Sequence, residues 1–163
     1  MQYLNKLSDS RKDKIINYHK EHQQLIESAK ASSNNHQIWE GGYIDHILQC
    51  LYLVEKLYKD LNKLNPLPFT QDSAMIVIYF HDIEKIFKYC KGENIDKNDY
   101  YNNILRKRDI IFSAQELNAL KYIHGEGDDY SGERRVMNEL AAFCHVIDTI
   151  SARIWHSHKL ALE

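Results

Sequence analysis

Apolar residues recur every three or four positions along most of this chain, which is the spacing of one face of an α-helix. The pattern is clearest over residues 43–63, where the recurring positions are Tyr43, Ile47, Cys50, Leu51, Val54, Leu57, Tyr58 and Leu61. The alternation typical of β-strands is not sustained anywhere in the sequence, and only six Gly and two Pro residues interrupt the helical spacing. The pattern therefore predicts an all-α fold.

The same spacing places the other helices between polar, turn-forming segments. They are predicted at about 8–31, 71–89, 101–108, 114–123 and 134–158. Thr70 can cap the helix that starts at 71, and Ser113 with Glu116 has the spacing of a capping box. Residues 90–103 are mostly polar and predict a surface excursion.

Length and charge limit what the molecule can be. The chain has 163 residues, which fits one domain over 1–163, and it is 44% hydrophobic and 27% charged. Its formal net charge of −2 does not resemble the basic footprint of a dedicated nucleic-acid binder, so we expect no large nucleic-acid surface. A small phosphorylated substrate fits this balance, because a local site can be positive on a nearly neutral protein.

The cysteines and the apolar runs bear on the cellular compartment. Cys50, Cys90 and Cys144 are far apart and form no CxxC pair, so we expect reduced thiols rather than a disulfide framework. No apolar run approaches the roughly 18 residues of a membrane span. The first residues carry no signal-peptide pattern. We therefore expect a cytoplasmic protein with no membrane partner.

One stretch combines an apolar run with two polar residues. Residues 74–80 are apolar or aromatic and lead directly into His81 and Asp82. A carboxylate at the end of a buried segment is costly unless it is paired or bound to a metal. An imidazole next to it makes the two residues a candidate pair of metal ligands.

His46 and Asp148 are the remaining candidate ligands. His46 lies on the inward face of the second predicted helix, where a satisfied core histidine is the other interpretation. Asp148 lies beside the apolar stripe of the last helix, where a salt bridge to Arg or Lys is the other interpretation. With His81 and Asp82 they offer two imidazoles and two carboxylates. This donor set suits a divalent metal such as Mn, Fe, Co, Zn, Ni or Mg.

The order His…His-Asp…Asp resembles the HD-domain metal-dependent phosphohydrolase superfamily, and most closely its bacterial 3′–5′ exoribonuclease branch. The resemblance covers roughly residues 29–155. Four motifs carry it: Asn35-His-Gln-Ile-Trp-Glu-Gly-Gly-Tyr-Ile-Asp-His46, His81-Asp-Ile-Glu-Lys85, Tyr122-Ile-His-Gly125 and Glu139-Leu-Ala…His145-Val-Ile-Asp148.

The resemblance implies an HD-domain-like helical bundle that holds one divalent metal, with His46, His81, Asp82 and Asp148 as its ligands. The implied activity is hydrolysis of a phosphoester on a nucleotide or a short oligonucleotide. Either Asp82 or Asp148 would take a proton from water. Lys85 would approach the substrate phosphate, and we expect His124 to act with it on the departing charge.

Three further residues could reach the substrate or orient a ligand: His36, Glu84 and His145.

Four positions depart from the family pattern. Gln37 and Ile123 stand where the family has histidine, Ser151 where it has aspartate, and Glu84 where it has glycine. The departures imply one metal more readily than two. They also keep open the alternative of a catalytically weak or inactive module that binds or senses a nucleotide.

A second alternative is a plain helical interaction protein whose histidines belong to the core. Three aromatic residues, Trp39, Tyr43 and Tyr130, could stack on a base, although packing in the core or at a rim is the commoner role. Arg134 and Arg135 could meet phosphates, and a solvated charged pair is the simpler interpretation.

Overall fold

Every regular element of this computed structural model is helical. The structure describes residues 2–159, so Met1 and residues 160–163 lie outside the described part. No strand occurs in residues 2–159, and the all-α prediction is confirmed. The α-helices are α1 Gln2–Asn5, α2 Lys12–Glu21, α3 Gln23–Ser28, α4 Gly42–Leu64, α5 Gln71–Phe80, α6 Glu84–Lys91, α7 Lys97–Asp99, α8 Ala114–Tyr122 and α9 Glu139–Thr149. Two π-helical turns, Tyr100–Leu105 and Ile150–Ile154, and two 3₁₀ turns, Arg106–Arg108 and Gly127–Asp129, complete the set.

The described chain divides into two compact units. The first contains residues 2–46, 82–112 and 157–159, and the second contains residues 47–81 and 113–156. The prediction of a single domain over 1–163 stays a prediction.

The first unit has a core built from α2, α3 and α6 together with the π-helical turn at 100–105. Ile15 and Ile26 are fully buried, and α3 packs against α6. Tyr18 and Tyr100 share a hydrogen bond of 2.6 Å between their hydroxyl groups inside this core. The polar segment 90–103 therefore returns to the core at Tyr100 and Tyr101, which are both buried, and the predicted surface excursion is wrong there.

The predicted helix over 8–31 is divided in the first unit. The Asp9 side chain accepts a hydrogen bond from the Arg11 backbone N–H, and the regular helix begins only at Lys12. His22 leaves the helical conformation and separates α2 from α3. The apolar spacing continues through this break, because a short break does not change which side chains face the core.

The second unit is built on α5, α8 and α9, which pack against one another. Residues 74–80 of α5 are all buried, so this part of the helix is buried around its whole circumference. Both predicted caps are confirmed: Thr70 accepts from the Ser73 N–H at 3.0 Å, and Ser113 forms a capping box with Glu116.

The predicted bounds of the helices over 71–89 and 134–158 are wrong, and in the second case the helical conformation also ends at Ile154 rather than at 158. The predicted helix 71–89 is interrupted at residues 81–83, where α5 ends and the chain makes a turn before α6 begins at Glu84. The predicted last helix starts later than 134, because Asn138 caps α9 by accepting from the Ala141 N–H at 2.8 Å. The doublet His81-Asp82 therefore lies in a turn between two helices.

Among residues 2–159, none of the helices combines the length and the apolar character that crossing a membrane would require.

Candidate metal centre

His81 closes α5 in the second unit, and its ring is fully buried. Its Nδ1 atom lies 2.7 Å from the Ile78 carbonyl oxygen. A carbonyl oxygen can only accept, so Nδ1 carries the hydrogen and donates it. This bond fixes the ring orientation and leaves Nε2 to face the other way, which is how metal-binding histidines are commonly held.

Asp148 on α9 faces that Nε2 atom. The Asp148 Oδ1 atom lies 3.5 Å from His81 Nε2, and its Oδ2 atom lies 4.0 Å from His124 Nε2. Both distances exceed the roughly 3.2 Å limit of an N–H···O hydrogen bond. The 3.5 Å distance suits donors that share one cation, since ligand bonds of about 2.1 Å place neighbouring donors about 3–3.5 Å apart, and the 4.0 Å distance to His124 is longer than that.

The three side chains form one group inside the second unit. One ligand atom from each of His81, His124 and Asp148 lies within 4.8 Å of the others. His81 and Asp148 are buried, and the His124 side chain is 48% exposed. Two imidazoles and a carboxylate at these separations could hold a divalent metal ion, with His124 at the solvent side.

His145 holds the turn that carries His124. Its Nδ1 atom donates to the Ile123 carbonyl oxygen at 2.6 Å, and its Cε1 atom lies close to Gly125. Gly125 has a φ of 107°, a conformation that favours glycine. His145 therefore orients the Ile123–Gly125 backbone, and its Nδ1 hydrogen bond goes to a carbonyl oxygen rather than to a ligand ring.

The nearby cysteine is not suited to metal binding. Cys144 is buried one turn before Asp148, and burial raises the pKa of its thiol well above the ordinary value, with the Asp148 charge adding to the effect. The thiol is therefore protonated at neutral pH, and the thiolate that a metal would need is disfavoured.

Two of the positions that depart from the family pattern have structural roles in the second unit. Ser151 is buried, and its hydroxyl donates to Gln49 Oε1 at 2.6 Å. Ile123 is fully buried in the core of the unit.

Asp82 is the first residue of segment 82–112 in the first unit, and two ammonium groups lie beside its carboxylate. Its side chain is 1% exposed. Lys85 Nζ contacts Oδ2, and Lys97 Nζ lies 3.3 Å from Oδ1. Lys97 also lies 3.1 Å from Glu84 Oε1. Lys85, predicted to approach a phosphate, is thus paired with the predicted ligand Asp82.

The charges in this group perturb one another. Burial raises the pKa of the Glu84 carboxyl and the Asp82 charge raises it further, against the opposing effect of Lys97. Burial alone would lower the pKa of Lys97, but the Asp82 and Glu84 carboxylates outweigh it and the pKa is raised. Burial also raises the pKa of the nearby Tyr101 hydroxyl.

His36 and His46 are neighbours in the first unit, with ring centroids 5.0 Å apart. His46 is fully buried. Burial lowers the pKa of His36, and the nearby His46 lowers it further. Gln37 is buried with a φ of 39°, and its Oε1 atom lies 2.7 Å from His36 Nδ1. Gln37 therefore supplies a polar partner for the His36 ring.

The aromatic candidates differ in exposure. Tyr43 is buried in the core and cannot stack on a base. The Trp39 indole N–H donates to Asp45 Oδ2 at 2.7 Å, and Lys159 lies over its ring. Tyr130 is 72% exposed. Arg134 and Arg135 are exposed in the loop before α9.

No motif in the sequence predicts the role of Lys97, which contacts Asp82 from 15 positions further along the chain. The second unit brings His81 together with Asp148 and His124, and the first unit brings Asp82 together with Lys85 and Glu84. A single site with His46, His81, Asp82 and Asp148 as ligands stays a prediction.

No family model, no curated protein and no solved structure matches the chain.

Proposed function

We propose that this protein is a metal-dependent phosphohydrolase with an HD-domain-like helical bundle, acting on a nucleotide or a short oligonucleotide. The observation that carries the proposal is the arrangement of His81 and Asp148. The buried imidazole donates through Nδ1 to a backbone carbonyl, so its Nε2 atom faces the carboxylate across 3.5 Å. An imidazole nitrogen acceptor and a carboxylate that face each other at that distance are favoured by a cation shared between them.

The residues present fit a divalent metal. His81 and Asp148 would hold it, and the resemblance of the sequence adds His46 and Asp82 to the proposed ligands. A metal bound there lowers the pKa of a bound water and polarises a phosphoryl oxygen.

The other proposed roles belong to residues at the solvent side. His124, with almost half its side chain exposed, can donate a proton to a leaving oxygen. Lys85 is 19% exposed, and its ammonium can approach a phosphoryl oxygen from its place beside Asp82. His145 keeps His124 in position through the Ile123 carbonyl.

Replacing Asp148 with asparagine tests the proposal. Asp148→Asn keeps the shape of the side chain and removes its charge, so we expect Mn²⁺ and Zn²⁺ affinity to fall by more than about 100-fold, beyond the usual effect of an outer-shell change. Phosphate release from a panel of nucleotides and short oligonucleotides should be lost in parallel. Asp60→Asn is the control, because Asp60 lies on the exposed face of α4 in the same unit.

The outcomes separate the candidate functions. Wild-type metal affinity and turnover in Asp148→Asn would contradict the proposed site. Metal and nucleotide binding by the wild type without any phosphate release would favour the binding or sensing module. No stoichiometric metal in the wild type, even after Mn²⁺ or Fe²⁺ is supplied, would favour a plain helical interaction protein.

A further inference from the structure

The ammonium group of Lys97 lies between two carboxylates of the first unit. It is 3.3 Å from Asp82 Oδ1 and 3.1 Å from Glu84 Oε1. Lys85 contacts the other oxygen of Asp82. Each Asp82 oxygen thus has an ammonium group beside it. The formal charges of the two lysines and the two carboxylates sum to zero.

A divalent metal and Lys97 make competing demands on Asp82. A metal ligand must present an oxygen lone pair to the ion, and Lys97, 3.3 Å from Oδ1, draws on the electron density of that oxygen. Two cations close to one buried carboxylate also repel each other strongly, because the surroundings screen charge poorly. Binding of a metal to Asp82 therefore favours movement of Lys97 away from Oδ1.

Glu84 provides the alternative position for that ammonium group. Its Oε2 atom is buried and has no hydrogen-bond partner in the described structure, which is an unfavourable state for a carboxylate oxygen. Lys97 already contacts Oε1 of the same carboxylate. Rotation about the flexible lysine side chain is enough to carry the ammonium from Asp82 towards Oε2, so Lys97 keeps an anionic partner.

We propose that Lys97 and a divalent metal compete for Asp82, and that Glu84 is a positioning residue that receives Lys97 when the metal binds. This inference rests on the proposed function, which places a metal on Asp82. It gives a role to the carboxylate at the position where the resemblance has glycine. It also makes metal affinity depend on two residues that are not themselves metal ligands.

Metal titration of six proteins tests the coupling: the wild type, Lys97→Met, Glu84→Gln, the variant that combines the two, and the controls Lys91→Met and Lys97→Arg. The full chain is freed of metal with a chelator and titrated with Mn²⁺, and free Mn²⁺ is followed by electron paramagnetic resonance. Lys97→Met removes the competing charge and should tighten Mn²⁺ binding by about 5- to 50-fold, within the usual range of coupling between sites. Glu84→Gln leaves Lys97 with Asp82 as its carboxylate and should weaken binding by about fivefold or more.

The variant that combines Lys97→Met with Glu84→Gln gives the decisive comparison. Once Lys97 is methionine, Glu84→Gln should have no further effect, because there is no ammonium left for Glu84 to hold. Lys91→Met is the matched control, since this exposed lysine in the last turn of α6 lies over the Phe87 ring and should leave Mn²⁺ affinity unchanged. Lys97→Arg keeps the charge, and its affinity should remain within about threefold of wild type.

Two other results would each overturn the inference. An equal loss of affinity on Glu84→Gln with and without Lys97 would make Glu84 a direct metal ligand. Weaker binding in a folded Lys97→Met protein, checked by circular dichroism, would mean that Lys97 supports the site. If Mn²⁺ binds and either of these two results is found, only this inference is overturned. If Mn²⁺ binds to none of the proteins, the proposed function is overturned as well.

Discussion

The hydrogen bond from His81 to the Ile78 carbonyl determines what this buried imidazole can do. Because Nδ1 is committed to a backbone acceptor, the ring offers only Nε2 to its surroundings. Asp148 supplies a negative charge near that nitrogen, and His145 keeps His124 close by through a separate carbonyl. Two backbone carbonyl groups of the second unit thus orient two imidazole rings, those of His81 and His145.

A glycine at the start of α4 is fixed by a close backbone contact. A Cβ atom on Gly42 would lie 1.9 Å from the Gln37 carbonyl oxygen. That oxygen accepts from the Ala31 N–H at 3.1 Å, and Gln37 is itself buried, so the carbonyl has little freedom to move. This contact sets the start of the helix that carries His46 one turn later.

Gly42→Ala should therefore destabilise the protein. We expect the free energy of unfolding to fall by about 3 kcal/mol, the upper part of the usual range for overpacking, as measured by urea denaturation. Gly132→Ala is the control, because a Cβ there meets no atom within 4 Å, and its effect should stay within about 0.5 kcal/mol. Equal stability of the two variants would show that Gln37 can move.

At the scale of helices, the sequence predicts those elements whose side chains carry their own signals. The regular stripe from Tyr43 to Leu61 predicts α4 within one residue or so at its ends, and the Ser113 capping box predicts the start of α8. Both signals are local, since they depend on side chains that are close along the chain.

The helix breaks and the long-range contacts could not be predicted in this way. The apolar spacing runs through His22 and through residues 81–83, because it reports which side chains are buried and not where the backbone hydrogen bonds change. Lys97 contacts Asp82 only because the chain folds back, and nothing in the local sequence encodes that approach. The same holds for the burial of Tyr101.

The start of α9 depends on one asparagine with several bonds. Asn138 Oδ1 caps the helix, and its Nδ2 group donates to the Gln115 carbonyl of α8 at 3.0 Å. Its backbone N–H donates to Asn118 Oδ1 at 2.9 Å. These bonds tie the helix that carries Asp148 to its neighbour α8.

Asn138→Ala should cost more than the loss of an ordinary cap. We expect a decrease of about 2 kcal/mol in the free energy of unfolding, because a cap and a hydrogen bond between helices each contribute about 1 kcal/mol. Thr70→Ala, which removes the cap of α5, should cost about 1 kcal/mol. Chemical denaturation of both variants measures the difference, and equal losses would mean that the bond to Gln115 adds nothing.

At the scale of the whole molecule, stability and the proposed site are connected through buried charge. Asp82 and Asp148 are both buried, in different units, within cores that are otherwise mainly apolar. Burying a carboxylate is costly unless it gains a cation or several donors. Cations that bind the folded chain at such positions must therefore stabilise it.

Addition and removal of metal should consequently shift the thermal stability. A ligand that binds only the folded state at 100 times its dissociation constant contributes about 2.7 kcal/mol, which for a chain of this size is a rise in Tm of about 5–10 °C. Differential scanning fluorimetry should record that rise with Mn²⁺ or Zn²⁺, and a chelator should reverse it. Asp148→Asn should lose the rise, while Asp60→Asn, altered on the exposed face of α4, should retain it. A rise of the same size in Asp148→Asn would place the stabilising metal elsewhere, because only a ligand of that ion can make the linkage depend on its charge.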